Sequence, residues 1–185
     1  MRARRPSRQT LAGQLLLASP ALREPTFRRT VILLSTHTAD GAMGVVLNHP
    51  LGKQLSELNA DFALGPLAGV PLYRGGPVET GQLILAAWRW LAAENAFQLN
   101  FALDPEKAME MVGTPGLTLR GFLGYSGWGK GQLEKELKTD TWFVAPVDSY
   151  NLDSADGTEL WRTMLGSLDP ELKLLADEPD DPTVN

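Results

Sequence analysis

The segment with the clearest chemical potential is rich in glycine and leads into a helical pattern. Residues 124–134 are Gly-Tyr-Ser-Gly-Trp-Gly-Lys-Gly-Gln-Leu-Glu. A glycine-dense turn that opens a helix points backbone N–H groups at a common spot, where the helix dipole adds partial positive charge. Gly124, Gly129 and Lys130 also fit most of the phosphate-loop pattern, but Gly131 stands where a Ser or Thr hydroxyl must hold Mg²⁺. The pattern therefore disfavours a nucleotide hydrolase and leaves a simpler anion-binding turn open.

Nucleophilic and metal chemistry are both weakly supported. Ser126 follows a predicted strand, as in a G-x-S-x-G elbow, but Trp128 replaces the second glycine of that tight turn. The histidines, His37 and His49, flank a predicted hairpin with Asp40 as the nearby acid, which is too few ligands for a zinc site. The chain has no cysteine, which excludes disulfides, thiolate metal sites and a cysteine nucleophile. We predict no metal site, no cofactor and no catalytic residue, and favour a non-enzyme.

A small anionic ligand is the chemical hypothesis that the residues leave open. The Arg28–Arg29 pair precedes an apolar strand, and a guanidinium near Asn48 and the Gly75-Gly76 turn suits carboxylate or phosphate. A buried salt bridge from this pair to Asp148 or Glu134 explains the same residues structurally. Because the turns all follow strands, we hypothesise that the candidate ligand-binding residues surround one concavity. They are Arg28, Asn48, Gly75, Gly76, Ser126, Trp128 and Gln132.

Charge is spread unevenly along the 185 residues, whose net charge is −5. The first eight residues carry four arginines, the segment from Asp169 carries six acids against one lysine, and residues 9–168 have a charge of −4. Such an acidic body lacks the clustered cations that bind a phosphate backbone, so we predict no direct nucleic-acid binding. We expect a disordered basic arm at 1–12, a single domain at 13–176 and a frayed acidic tail at 177–185.

The N-terminal segment also imitates a targeting peptide, since arginines precede Leu15–Leu17. Gln14 interrupts this short apolar segment, so a core strand at 14–18 is the better interpretation. No apolar run approaches the ~18 residues that span a bilayer, and we predict no membrane insertion.

Hydrophobic patterning predicts short strands alternating with a few short helices. The continuous apolar run at 29–35 predicts a strand buried on both faces, in a hairpin with 42–48, where Gly44 suggests a bulge or close backbone approach. Hairpins outnumber strand–helix–strand crossovers, which favours an α+β domain with a curled, mostly antiparallel or mixed sheet. Further strands are predicted at 71–74, 81–87, 97–101, 117–124 and 141–145, and helices at 53–60, 105–113, 132–137, 159–165 and 171–176.

Several segments, in this order, resemble the YqgE/AlgH family. They are Leu16–Leu22, Pro25–Val31, His37, Gly41–Asn48, Gly75–Val78, Gly124–Trp128, Gly131–Leu137, Asp140–Trp142 and Trp161. The resemblance implies an α+β domain whose bifurcated sheet folds into a pseudo-barrel flanked by short helices, in a bacterial cytoplasmic protein. The family has no established activity, although one branch is labelled a transcriptional regulator without a recognised DNA-binding motif. Thr36 and Ala86 stand where relatives often have Glu and His, which weakens catalytic proposals at either place.

From the resemblance we therefore expect a cytoplasmic protein with a regulator label and an unassigned molecular activity. The alternative is a small anionic-ligand-binding protein or a hydrolase with its cleft at the Gly124–Gln132 turn. A protein partner is the other interaction that we consider, and the sequence leaves the oligomeric state open.

Overall fold

A curled, mixed sheet carries the fold in this computed structural model, which describes residues 10–147, 152–153 and 155–178. Residues 1–9 of the predicted basic arm and 179–185 of the predicted acidic tail lie outside the described residues. At the start of the described chain, the Leu11 N–H donates to His37 Nδ1 over 3.0 Å, and this bond attaches the segment to the sheet. The domain limits 13–176 stay a prediction.

The described residues form nine strands and five short helices. The strands are β1 (Leu15–Ala18), β2 (Val31–Thr38), β3 (Gly41–Val46), β4 (Pro50–Gln54), β5 (Pro71–Arg74), β6 (Val78–Leu91), β7 (Ala96–Asn100), β8 (Thr118–Gly129) and β9 (Trp142–Ala145). The helices are α1 (Leu55–Leu58), α2 (Pro105–Met111), α3 (Gln132–Lys138), α4 (Gly157–Leu168) and α5 (Pro170–Asp177), and a 3₁₀ turn follows α1 at Ala60–Phe62.

The long strand β8 divides the sheet into two branches. The sheet order is β4-β5-β8-β3-β2-β1-β9, and β6 adds a further partner to β8 and carries β7. The first half of β8 lies between β5 and β6, whereas its second half pairs with β3. Only the β5–β8 pairing is parallel among the described strands. This mixed, branched sheet with short helices confirms the predicted fold class.

The strand β2 lies at the centre of the core, as its apolar run predicts. Val31, Ile32, Leu33 and Leu34 are all fully buried. Alternate side chains enter two different hydrophobic clusters, because successive residues of a strand point to opposite faces. The expected hairpin with β3 is present, and a Cβ at Gly44 would lie 2.5 Å from the Leu33 carbonyl oxygen, so the predicted close backbone approach is confirmed.

The glycine-rich segment is a strand rather than a turn, which corrects the prediction that the strand ends at Gly124. β8 continues to Gly129, and residues 126–129 pair with β3. Gly124 has a φ of 72°, and a Cβ there would lie 2.6 Å from the Gly76 carbonyl oxygen. Glycine is needed at this position because it permits both the left-handed conformation and the close approach. The sheet divides at this point, and the turn before α3 contracts to Lys130 and Gly131.

Candidate functional site

Three of the candidate ligand-binding residues meet where the chain after β5 crosses β8. A Cβ at Gly75 would lie 2.2 Å from the Gly124 carbonyl oxygen, and one at Gly76 would lie 2.2 Å from that of Tyr125. The Gly75 N–H donates to Leu123 over 2.8 Å, and the buried Ser126 hydroxyl donates to the Gly75 carbonyl over 3.2 Å. The two glycines therefore permit a backbone crossing, and the Ser126 hydroxyl is engaged within it.

Asn48 forms a separate, internal junction between β2 and α4. Its Oδ1 accepts from the Val31 N–H over 2.9 Å, while its Nδ2 donates to the carbonyls of Arg29 and Gly157 over 2.8 and 2.9 Å. Only 1% of Asn48 is exposed. Since buried polar groups require partners, these three bonds give Asn48 a structural role.

The arginine pair before β2 lies at the same end of the sheet. Arg28 is half-buried, and its N–H donates to the Glu24 carbonyl over 2.9 Å. The Arg29 guanidinium lies over the ring of Trp161, 5.8 Å from its centroid. Of the predicted salt-bridge partners, Asp148 lies outside the described residues and Glu134 lies 3.1 Å from His37 Nε2.

The last two candidates, Trp128 and Gln132, converge on a carboxylate of α3. Glu136 Oε2 accepts from the indole N–H groups of Trp128 and Trp142 over 2.9 and 2.7 Å. Its Oε1 accepts from Gln132 Nε2 over 3.0 Å, and Gln132 Oε1 accepts from the Gly129 N–H over 3.0 Å. This network fastens α3 to the sheet. The structure thus distributes the candidates over several junctions, and ligand binding by them stays a prediction.

A cleft of about 500 Å³ adjoins the Gly75–Gly76 crossing, and Gly76 is the one sequence candidate among its lining residues in the described chain. This volume lies within the range of small-molecule sites. Its walls combine apolar side chains with a few polar groups. The apolar residues are Val46, Leu51, Pro77 and Leu123, and the polar ones are Thr26, His49, Arg74 and Thr80.

Pairing of β4 with β5 brings the two basic residues of this cleft together. Pro50 lies opposite Tyr73, and the Arg74 N–H donates to the His49 carbonyl over 2.9 Å. Arg74 is exposed, and among the described residues no carboxylate lies within salt-bridge distance of it. Its guanidinium N–H groups can therefore donate to a carboxylate or phosphate without first breaking an internal ion pair.

His49 contributes an imidazole with altered protonation. Burial lowers the pKa of His49, and the positive charge of Arg74 lowers the pKa further. Both effects oppose the charged form of the ring. At neutral pH the cleft thus presents one permanent cation, Arg74, beside a neutral imidazole that can donate or accept a hydrogen bond.

Sequence reasoning missed this pair for an identifiable reason. Arg74 ends a predicted strand directly before the Gly75-Gly76 turn, and this position could have marked it as a candidate anion ligand. From the sequence, His49 is considered only as a metal ligand, and no strand is predicted at β4 because Pro50 and Gly52 disfavour one. Without β4, nothing in the sequence places His49 beside Arg74.

A second polar cluster, also missed, surrounds Arg120 inside the sheet. Its guanidinium carbon lies 4.2 Å from the ring centroid of Tyr73 and 5.3 Å from that of Trp88. Arg120 Nη1 donates to the Leu47 carbonyl over 2.9 Å, and Nη2 donates to Asp153. Only 3% of Arg120 is exposed. Since its charge is paired and stacked internally, we interpret this cluster as a structural anchor for the segment before α4.

The described residues hold no group of three or more histidine and acidic side chains placed to bind a metal ion. Each helix in the same part of the chain is too short or too polar to cross a lipid bilayer.

Comparisons with known proteins agree on one family. Residues 15–173 match the AlgH-like family. A UPF0301 protein of Streptomyces coelicolor is 35% identical over 190 residues, covering 95% of this chain and 96% of the relative. A crystal structure from Corynebacterium diphtheriae has a TM-score of 0.69 at 25% identity, covering 96% of this chain and 95% of the other. The solution structure of the AlgH protein from Pseudomonas aeruginosa has a TM-score of 0.65 at 26% identity, covering 98% and 100%.

Proposed function

This chain belongs to the AlgH-like family, and we propose that it is a binding protein for a small organic anion, held in the cleft beside Arg74 and His49. The proposal includes the cytoplasmic location that the family resemblance implies. It moves the anion site from the Gly124–Gln132 segment to the neighbouring end of β5, because residues 126–129 form a strand paired with β3 instead of an open turn.

One observation carries the proposal: an arginine without a described acidic partner stands at a cleft of about 500 Å³. Exposed arginines are common, but Arg74 lies beside apolar walls and a half-buried histidine. Concave sites with mainly apolar linings and a few convergent polar groups are typical of small-molecule binding. The charge and the shape therefore support the same function.

Thermal shift against a panel of carboxylates, phosphates and their neutral analogues tests this function. A ligand at 100 times its Kd adds about 2.7 kcal/mol of apparent stability, which raises the Tm of a chain of this size by roughly 5–10 °C. Arg74→Gln should remove the shift. Lys130→Gln, which deletes an exposed cation that does not line the cleft, should retain it. Equal shifts in the two variants would contradict binding at Arg74.

Direct DNA binding, which the regulator label suggests, is less well supported than anion binding. Among the described helices, α4 and α5 follow one another with only Asp169 between them, and residues 157–177 carry four acidic and two basic side chains. A recognition helix needs cations for the phosphate backbone. We expect no retardation of duplex DNA in a gel-shift assay, even at low salt. Retardation that weakens steeply as salt rises would revive the regulator hypothesis.

A further inference from the structure

The chemistry of the cleft also restricts the kind of anion. We propose that the ligand is a monoanion with an apolar body, such as a medium-chain carboxylate, and not a polyphosphate or a nucleotide. This inference rests on the proposed anion-binding function and adds the substrate class.

The number of positive charges at the cleft argues for a single negative charge on the ligand. Arg74 is the one permanent cation among the described lining residues. His49 is held toward its neutral form, since burial and Arg74 lower its pKa. A neighbouring depression shares Thr80 with the cleft and contains Glu79, which adds negative potential at that side. One guanidinium fork matches one carboxylate, whereas a polyphosphate normally requires several cations or a metal ion.

The walls of the cleft argue for an apolar body behind that charge. Leu51 is half-buried and packs against the cluster around α1, whereas Val46 is 1% exposed and contributes almost no surface to the cleft. Leu123 and Pro77 complete the apolar lining. An inorganic anion would leave these surfaces in contact with water. Each methylene buried against them instead contributes about 0.8 kcal/mol, or roughly a fourfold gain in affinity.

Isothermal titration with matched ligands tests charge and apolar body separately. The ligands are acetate, hexanoate, octanoate, octanamide, inorganic phosphate and ATP. We expect affinity to rise about fourfold per methylene from acetate toward octanoate until the cleft is filled. We expect octanamide, which lacks the charge, to bind about 10- to 100-fold more weakly than octanoate.

Three variants locate the binding at the cleft. Arg74→Gln should weaken octanoate about 10- to 100-fold and leave octanamide nearly unchanged. Leu51→Gln should weaken octanoate but not acetate. Lys130→Gln should bind all ligands like the parent protein. Thermal denaturation of each variant, followed by circular dichroism, shows that it is folded, and Arg74 is exposed, so its replacement leaves the core intact.

The possible outcomes separate this inference from the function on which it rests. If phosphate or ATP binds through Arg74 while octanoate binds no better than acetate, the anion-binding function stands and the apolar-monoanion inference is overturned. If octanamide binds as tightly as octanoate, both are overturned, because charge then contributes nothing. Absence of binding by every anion also overturns both.

Discussion

Removing the Glu136 carboxylate should cost this fold a large part of its stability. Two indole N–H groups, those of Trp128 and Trp142, donate to the same oxygen, Oε2. The two rings are 6% and 3% exposed, and they meet edge to face with centroids 6.0 Å apart. In Glu136→Ala neither indole keeps this acceptor, although both rings remain almost fully buried. An unsatisfied buried donor costs about 1–3 kcal/mol, so the pair should cost about 2–6 kcal/mol.

Urea denaturation followed by tryptophan fluorescence measures this loss, and near-UV circular dichroism reports the packing of the two rings. Glu136→Gln should lose about 1–2 kcal/mol, because a neutral amide oxygen can still accept from the indoles without charge assistance. Glu110→Ala is the matched control: this glutamate is exposed on α2 and its removal should change stability by less than about 0.5 kcal/mol. A loss of less than about 1 kcal/mol of unfolding free energy in Glu136→Ala would show that the two indole bonds do not hold α3 on the sheet.

Two further predictions concern the cleft and the chain crossing beside it. Gly75→Ala should lose about 3 kcal/mol of unfolding free energy in urea denaturation, since its Cβ would meet the Gly124 carbonyl oxygen at 2.2 Å. The control Gly81→Ala has open space around its Cβ and should be near neutral. Similar losses in the two variants would argue against the tight crossing. Acidification should destabilise the protein through His49, because the pKa of His49 in the folded state lies below the model-compound value of 6.5. Below pH 6.5 the unfolded chain therefore binds a proton that the folded protein does not. The contribution of His49 to the free energy of unfolding is complete above pH 6.5 and falls as the pH drops below 6.5. His49→Gln should therefore show a shallower decline in the free energy of unfolding between about pH 7.5 and about pH 5.5, and an unchanged slope would exclude His49 as a contributor.

Local patterns in the sequence predict the elements whose burial follows from their own residues. The apolar run of β2 specifies a strand buried on both faces, and the Asp104-Pro105 start specifies α2. The glycines of β8 mislead the same reasoning. Glycine normally signals a turn because it has no intrinsic strand preference. In β8 the ladders with β3, β5 and β6 supply the hydrogen bonds that override this preference, and no local pattern reveals three partner strands.

The candidate site is harder to predict because it depends on register between distant segments. Arg74 and His49 are 25 positions apart in the chain, and they meet only through the pairing of β4 with β5. Arg120 and Asp153, which are 33 positions apart, also meet only through the tertiary fold. A single sequence shows the residue types but not the register. The sequence therefore suggests an anion ligand as a hypothesis, which stays a prediction, but it does not place Arg74 beside His49.

The position of Arg74 favours a side chain over the glycine-rich backbone as the donor to the proposed anion. Residues 126–129 of β8 pair with β3, and the Gly129 N–H donates to Gln132 Oε1, so an anion at this segment would compete with internal contacts. Arg74 ends β5 at the point where Gly75 and Gly76 carry the chain across β8, and it is exposed. Its charge remains hydrated without ligand, which avoids the cost of burying an unpaired cation. In the proposed complex, binding exchanges this hydration for a charge-assisted contact beside the apolar walls of the cleft.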